Sequence, residues 1–474
     1  MSTFSGISNA LSSLTAQRIA LDVAGQNIAN ANTEGYTRQR VNLQSVSTAA
    51  VASLFSGGTK TGSGVTVAGI DRLADAFLDA RLRSQTSYAA STGSAATALE
   101  RLESMIQEPS DTGVTSSLQA FWSSWQDVAN SPDSTAIRTA LLGNAEALTS
   151  QIKDTYNAFA AQWDQGLAEA KALVTDVNST ARSIADLNKQ IRSVLASGGS
   201  TAELMDQRDL LVTSLSKSVG ATATTLEDGT MTVSVGGNAL VQGVRANEIT
   251  LGGSAVMTAA LAEPAGTDAI SLSWADGTPL TLSGGSLAGT IASLKPSSQG
   301  GSISTAVDAV NALATNLATS VNAIHTSGVT VDGTAGADFF SFTAGAPAAL
   351  GLTVAITDPA GIAAADSATG GYDGTIADRI SQIGERTDGP DAEWTAYVVD
   401  LGVSTAAARR RADVAESTRT TAESLQLGNA SVDTDEEVAN MLMYQTAYEA
   451  AARVMTVLDE MLDTLINKTG IVGR

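Results

Sequence analysis

The chain has 474 residues, length for roughly three domains at about 150 residues each, and a formal net charge of −22, from 27 Lys+Arg against 49 Asp+Glu. A surface of that sign repels phosphate backbones and anionic lipid; no cysteine and a single histidine, His325, exclude disulfides, thiolate chemistry and Cys- or His-cluster metal sites, and no apolar run approaches the ~20 residues of a membrane span. Charged residues are only 16%, below the ~25% of ordinary soluble domains, and Ala, Ser, Thr, Asn and Gly take their place, which suits uncharged helix–helix and subunit contacts and points to assembly rather than catalysis.

Residues 1–33 read as one helix. Phe4, Ile7, Leu11, Leu14, Leu21 and Ile28 recur at 3/4 spacing, and Asn30, Asn32 and Gly35 supply stop residues that tolerate left-handed backbone. The first residues, Met1 to Ser5, lack the basic and apolar regions of a secretory signal, so the expectation is a cytosolic chain or export without that signal. Residues 36–70 alternate as strands (Val41, Leu43, Val65, Val67). Helix resumes near Asp71 and runs to about Ile106, Pro109 to Gly113 break it, and a short helix carries Leu118, Phe121, Trp122 and Trp125. Ser131-Pro132 reads as N-cap plus first-turn proline of a long helix to about Leu195, followed by one with Leu204, Leu210, Leu211 and Leu215. Residues 220–300 are Thr/Val/Gly-rich and expected to be β-rich. Helix returns at 303–325, residues 327–371 carry β fragments, 374–427 is helical, and a last helix spans about 435–467.

That last helix has Val438, Met441, Leu442, Tyr448, Ala452, Met455, Leu458, Met461, Leu462 and Leu465 on one broad stripe, whose spacing slips once, from Met455 to Leu458 to Met461, as a stammer would produce. Thr434 and Glu437 read as a capping box. The fold class expected is mainly α with a β-rich inserted middle: an elongated, discontinuous multidomain rod whose terminal helices pair as a coiled coil. The units expected are 1–33 with 432–474, then 34–219 with 301–326 and 372–431, and a β-rich outer unit of 220–300 with 327–371.

Other features have plain readings. Asp433 to Glu437 lacks the glycine and later ligands of a calcium loop. Ser56 to Thr61 fails the phosphate-loop pattern at the residue before Lys60. Arg409-Arg410-Arg411, followed by Asp413 and Glu416, reads as a solvated helix face. His325 reads as a hydrogen-bonded structural histidine, and Trp122, Trp125 and Trp163 as core.

Two stretches resemble a known family. Asn27-Ile28-Ala29-Asn30-Ala31-Asn32-Thr33-Glu34-Gly35-Tyr36-Thr37-Arg38-Gln39 resembles the N-terminal signature of flagellar axial proteins (rod, hook and hook-associated), and Asp435 to Tyr448 looks like the matching C-terminal signature. Glu108 to Gly113 with Phe121-Trp122, Leu204 to Leu211, and Val321 to His325 with Asp338-Phe339-Phe340 are similar to the hook-associated protein 1 branch. Gly25 and Gln26 depart from the Ser and His or Asn of the pattern, and the β-rich middle is shorter than in the largest relatives. The resemblance implies unfolded export through the flagellar type III channel and an extracellular place where hook meets filament. The partners it implies are a ring of identical subunits, the hook protein, a second junction protein and an export chaperone on the C-terminal helix; no cofactor, metal or catalysis is implied. The assembly interface is then expected at Phe4, Ile7, Leu11, Leu14, Leu21, Ile28, Asn30, Gly35, Tyr36, Val438, Met441, Leu442, Tyr448, Met455, Leu458, Leu462 and Leu465. A hook or distal-rod subunit, a secreted coiled-coil adhesin or scaffold, and a carboxylate-pair hydrolase remain as alternatives, the first weakened by the long helical stretch at 133–219.

Overall fold

The computed structural model describes residues 3–46, 64–106, 108–366 and 372–468, with side chains of the first helix described from Ser5 onward; the Ser56 to Thr61 loop and the side chain of Phe4 lie outside these. The chain is mostly helical with several small sheets. The terminal helix α1 (Thr3–Ala29) leads into an antiparallel pair, β1 (Gln39–Ser45) and β2 (Val65–Arg72). The expected helix from Asp71 therefore begins later, as α2 (Ala76–Ile106), because Arg72 is still paired with Gln39 in the sheet. Asp75 starts it by accepting the N–H groups of Phe77 and Leu78 at 2.8 and 3.1 Å.

Three helices follow: α3 (Val114–Asn130), α4 (Thr135–Ala196) and α5 (Ala202–Val219). The expected cap at Ser131-Pro132 is displaced. Ser131 closes α3 by donating its N–H to Asp127 O, Ser134 caps α4, and the Pro132 carbonyl is held outside the helix by Arg138 Nε at 2.6 Å. Helix α4 has 62 residues, about 93 Å at 1.5 Å per residue. Its Leu141, Leu148, Ile152, Phe159, Trp163 and Ile184 are fully buried, a 3/4 stripe facing the core.

A β-rich stretch leaves α5 at Gly220, whose φ of +70° ends the helix in the left-handed region. It holds a four-stranded sheet, β3 (Thr222–Thr225), β4 (Met231–Val235), β5 (Asn238–Gln242) and β6 (Arg245–Ala246). A helical turn, α6 (Met257–Ala260), sits beside a three-stranded sheet, β7 (Ile249–Gly252), β8 (Ser271–Trp274) and β9 (Pro279–Leu280). The expectation of strand to residue 300 fails at α7 (Ser286–Leu294), which packs against both α2 and α4. Leu287, Ile291 and Leu294 supply its helical stripe, and Gly289 lets it touch the α2 backbone, where a Cβ would lie 2.5 Å from Ser91 O. The Ser/Thr/Gly texture around these three residues hides their period.

Helix α8 (Ser302–His325) precedes a second set of strands: β10 (Gly328–Val329), β11 (Phe340–Phe342), the turn α9 (Ala348–Gly351), β12 (Leu352–Val354) and β13 (Ala365–Asp366). Helices α10 (Thr375–Ser381), α11 (Pro390–Ala430) and α12 (Thr434–Asp463) finish the chain, the last widening into a π-helical turn at Thr464–Lys468. Helix α11 lies along α2 through Trp394, Leu401, Ala408, Ala415 and Ala422, buried at heptad spacing.

The two β-rich stretches, grouped as one unit by composition, dock on opposite ends of α4. Asn178 and Asn188 clamp the first: each amide accepts from and donates to one strand residue, Ile249 and Met231, at 2.8–3.0 Å. Arg138 and Asn322 clamp the second. Arg138 donates to the carbonyls of Pro359 and Ile362. Asn322 accepts from the N–H groups of Phe339 and Phe340, both at 2.9 Å, and donates to Phe340 O. Phe339 and Phe340 enter an aromatic core with Phe121, Trp122, Trp125 and His325, ring centroids 4.9–6.3 Å apart. Trp122, Trp125 and Trp163 are core residues, as expected; Trp122 Nε1 also donates to Asp391 at 2.8 Å.

His325 is fully buried. Its Nε2 accepts the Ala363 N–H at 2.9 Å, so Nδ1 carries the proton and donates to Ala337 O at 2.6 Å. Burial pulls its pKa down, outweighing the Ala337 hydrogen bond and Asp338. A folded pKa below the unfolded value of about 6.5 leaves stability intact above that pH and removes it as pH falls below. The melting temperature should therefore drop on acidification just below pH 6.5. Because the chain has no second histidine, His325→Gln should remove that arm of the curve, read by circular dichroism across a pH series; an unchanged slope would assign the loss to carboxylates instead.

Candidate functional site

The two ends of the chain meet. Helices α1 and α12 pack against each other in opposite directions, with Gly6 facing Leu458 at one end and Asn27 facing Glu437 at the other. The face of α1 turned inward is made of small residues: Ala10, Ala16, Ala20, Val23 and Ala24 are buried, and so is Asn27. Ile7, Leu14, Leu21 and Ile28 sit on its flanks, half-buried, and Leu11 is 56% exposed. On α12, Met441, Met455, Leu458 and Leu462 are half-buried toward α1, while Val438, Leu442, Tyr448 and Leu465 are exposed. The expected stripes thus divide between an inner seam and outer surface.

The slip seen between Met455 and Met461 resolves into two parallel stripes. One, Ala451, Met455, Leu458 and Leu462, faces α1. The other, Met443, Ala447, Ala450, Val454, Val457, Met461 and Leu465, keeps a heptad-like spacing without a charged residue. Its Met443, Val454, Val457, Met461 and Leu465 are each about half exposed. From Met443 onward the charges of the helix, Glu449, Arg453, Asp459, Glu460 and Asp463, fall on other faces by helical spacing. The sequence signal for this second stripe was its own 4/3 repeat, obscured by the first stripe one residue away.

A polar joint closes the base of the pair. The Asn27 amide donates to Gln39 O at 2.8 Å and Glu437 Oε2 at 3.1 Å, and its oxygen accepts from Gln39 N and the Tyr36 hydroxyl. Arg38 bonds Glu437 and Glu436 at 2.7–2.9 Å. Glu437 is only 3% exposed. Its carboxylate is thus committed to Arg38 and Asn27 rather than to a capping box. The cap of α12 is Asp433, accepting from Asp435 N and Glu436 N, which corrects the Thr434 reading. Asn30 closes α1 by donating to Gln26 O, and Gly35, at φ +79°, turns the chain into β1.

A second cluster ties this joint to α5. Arg72 bonds Asp206 and Asp209 at 2.5 and 2.9 Å, Asp206 accepts the Thr37 N–H, and Gln26 donates to Glu203 at 2.6 Å. The internal Leu204 to Leu211 stretch is therefore the seat of the N-terminal signature, and Gln26, a departure from the family pattern, has its own partner. Burial, then Asp206, Glu203 and Glu437, push the Tyr36 hydroxyl up to about 12. It stays protonated and can keep donating to Asn27. Burial also raises the Asp206 pKa against the opposing pull of Arg72. Among the described residues, no group of three or more His, Asp or Glu could hold a metal ion, and no helix is long and apolar enough to cross a membrane.

Comparison with known proteins gives matches along the whole chain. The profile described as the flagellar hook-associated protein FlgK helical domain matches residues 99–340, that of the flagella basal body rod protein residues 7–37, and that of the flagellar basal body rod FlgEFG protein C-terminal residues 427–468. The flagellar hook-associated protein 1 of Bacillus subtilis is 31% identical over 526 aligned residues, covering 100% of both chains. That of Salmonella typhimurium is 32% identical over 342, covering 71% of this chain and 59% of its own length. A solved structure, the flagellar hook junction protein FlgK from Burkholderia pseudomallei, is similar in fold with a TM-score of 0.62 over 74% of this chain and 100% of that one, at 16% identity.

Proposed function

The chain belongs to the flagellar hook-associated protein 1 family and is a structural component of the bacterial flagellum, a hook–filament junction protein; on that premise we propose that its paired ends are the axial unit through which copies assemble. In this reading α1 and α12 are a coiled-coil hairpin that lines the axial tube. The helical body surrounds it, and the β-rich stretches project outward along a discontinuous rod. The partners are identical subunits in a ring, the hook protein on one side, a second junction protein on the other, and an export chaperone that holds α12 beforehand. Its place of action is the extracellular flagellum. The proposed interface narrows the expected set to its exposed apolar side chains, Leu11, Val438, Leu442, Tyr448 and Leu465, joined by Val454, Val457 and Met461.

The observation that carries this proposal is the charge-free, half-exposed stripe on α12. Burial of one such side chain gives about 1.5–3 kcal/mol, and a helix pair with one polar side and one bare apolar stripe gains most by stacking on neighbours. The helical-domain match over residues 99–340 separates this chain from rod and hook subunits that share only the terminal signatures. Cells lacking the chain should carry bare hooks and shed monomeric filament subunit into the medium, seen by electron microscopy and blotting, and the wild-type chain should restore filaments. Normal filaments in the deletion strain would overturn the assignment.

A further inference from the structure

The seam between α1 and α12 has little to fix its stagger. On the α1 side, at 3/4 spacing from Gly6 towards Asn27, it is Gly6, Ala10, Ser13, Gln17, Ala20 and Ala24; on the α12 side it is Met441, Tyr444, Ala451, Met455, Leu458 and Leu462. Small residues give no knobs, and Met and Leu rearrange easily against them. Apart from Gln17, whose buried Oε1 has no hydrogen-bond partner among the described residues and so anchors nothing, sliding one helix by a turn would replace small residues with small residues under mostly flexible side chains. A seam of this kind specifies that the helices pair, without specifying where.

The base of the pair is different in kind. Asn27 is 1% exposed and Glu437 3% exposed, both on the inner face. Asn27 uses both amide atoms at once, on Gln39, Tyr36 and Glu437, and Glu437 is bonded by Arg38 as well. A one-turn slip would strand a buried carboxylate and a buried amide against alanine and methionine, where each loses its partner. A buried polar residue in an apolar helix seam is the best-attested device for setting register. The geometry agrees at the far end: Gly6 and Leu458 lie three heptads from Asn27 and Glu437 respectively and are in contact.

We propose that the Asn27–Glu437 pair, braced by Tyr36 and Arg38, sets the register of the terminal helices. These are positioning residues: they fix which α12 side chains face outward and at what height. The proposal concerns the chain by itself, so its test in purified protein stands or falls independently of the junction assignment.

The cysteine-free sequence makes the test direct. A Cβ at Gly6 would lie 3.2 Å from the Leu458 methyls, so Gly6→Cys with Leu458→Cys should oxidise to a disulfide in the native register. Gly6→Cys paired instead with Met455→Cys or Leu462→Cys reports a one-turn slip. In the native background the 6/458 product should dominate. In Asn27→Leu/Glu437→Leu the helices should stay paired, with helical content unchanged, but the ratio of 6/458 to slipped products should fall about fivefold or more. Asn27→Asp alone, which sets a carboxylate against Glu437, should displace the register, and adding Glu437→Gln, which returns a donor, should recover the 6/458 product. A single native product in every background overturns the proposal. So does loss of all cross-links in the Leu/Leu variant, which would mean the polar pair holds the helices together rather than aligning them, and so does failure of the Asp/Gln pair to recover the register.

Discussion

Val457→Asp is expected to leave the isolated chain folded, with its melting temperature unchanged, and to abolish incorporation into the flagellum. Val457 is 54% exposed in the single chain, so an aspartate there keeps its water. In an assembly that covers the outer α12 stripe, the same carboxylate is desolvated beside Val454 and Met461, and the one cation in reach, Arg453 a turn away on the flank, already faces Glu449 at 3.8 Å and would have to be desolvated with it. That costs several kcal/mol per copy, and a ring repeats the cost in every subunit. Val457→Leu, which keeps the site apolar, should assemble. Ala451→Asp supplies the contrast: Ala451 is 8% exposed and faces α1, so that variant should open the terminal pair in the free chain as well. Melting curves of the three proteins beside filament counts in complemented cells decide the matter. Filaments of normal length from Val457→Asp would place the assembly surface on another face.

Trp125→Ala should destabilise the body by about 3–5 kcal/mol, the range for removing a large aromatic side chain from a packed core. Trp125 is fully buried, with the rings of Phe121, His325 and Phe339 at 6.3, 6.0 and 5.1 Å. Its indole N–H has no hydrogen-bond partner among the described residues, so the loss is one of packing and cavity rather than polar bonding. Phe339 is pinned through its backbone by Asn322 and cannot move into the void without giving up that bond. Urea unfolding followed by tryptophan fluorescence measures the change, and Trp125→Phe should lose less. A loss below about 1 kcal/mol would mean that the cluster collapses around the gap.

The long helices were legible because their apolar residues recur at 3/4 spacing over many turns, and because Ser197-Gly198-Gly199 and Pro109 to Gly113 interrupt them sharply. What composition hid was anything built from small residues. Helix α7 rests on three apolar residues in a Ser/Thr/Gly stretch, and the inner face of α1 is alanine, which hydropathy ranks below the flanking Ile7, Leu14, Leu21 and Ile28. The outer stripe of α12 was masked because Val454, Val457 and Met461 run one residue ahead of Met455, Leu458 and Leu462, and the two repeats read together as one irregular stripe. The signatures at Asn27 to Gln39 and Asp435 to Tyr448 were visible as words but not as a joint. That Glu437 serves Arg38 and Asn27, and that Asp206 receives Thr37, are long-range contacts that no local pattern contains.

Those long-range contacts also set an order of events in time. Asn27 and Glu437 are separated by 410 residues. Closing a flexible loop of that length carries an entropy cost of about 5 kcal/mol by the logarithmic law. Once α2 and α11 have packed, the loop is already closed, because Arg38 N–H meets Ala430 O and Leu73 N–H meets Arg38 O on the adjoining backbone. The ends then need only a short search to find each other. By this argument the terminal pair is expected to form last and open first, so the surface proposed for assembly would mature only after the rest of the chain has folded.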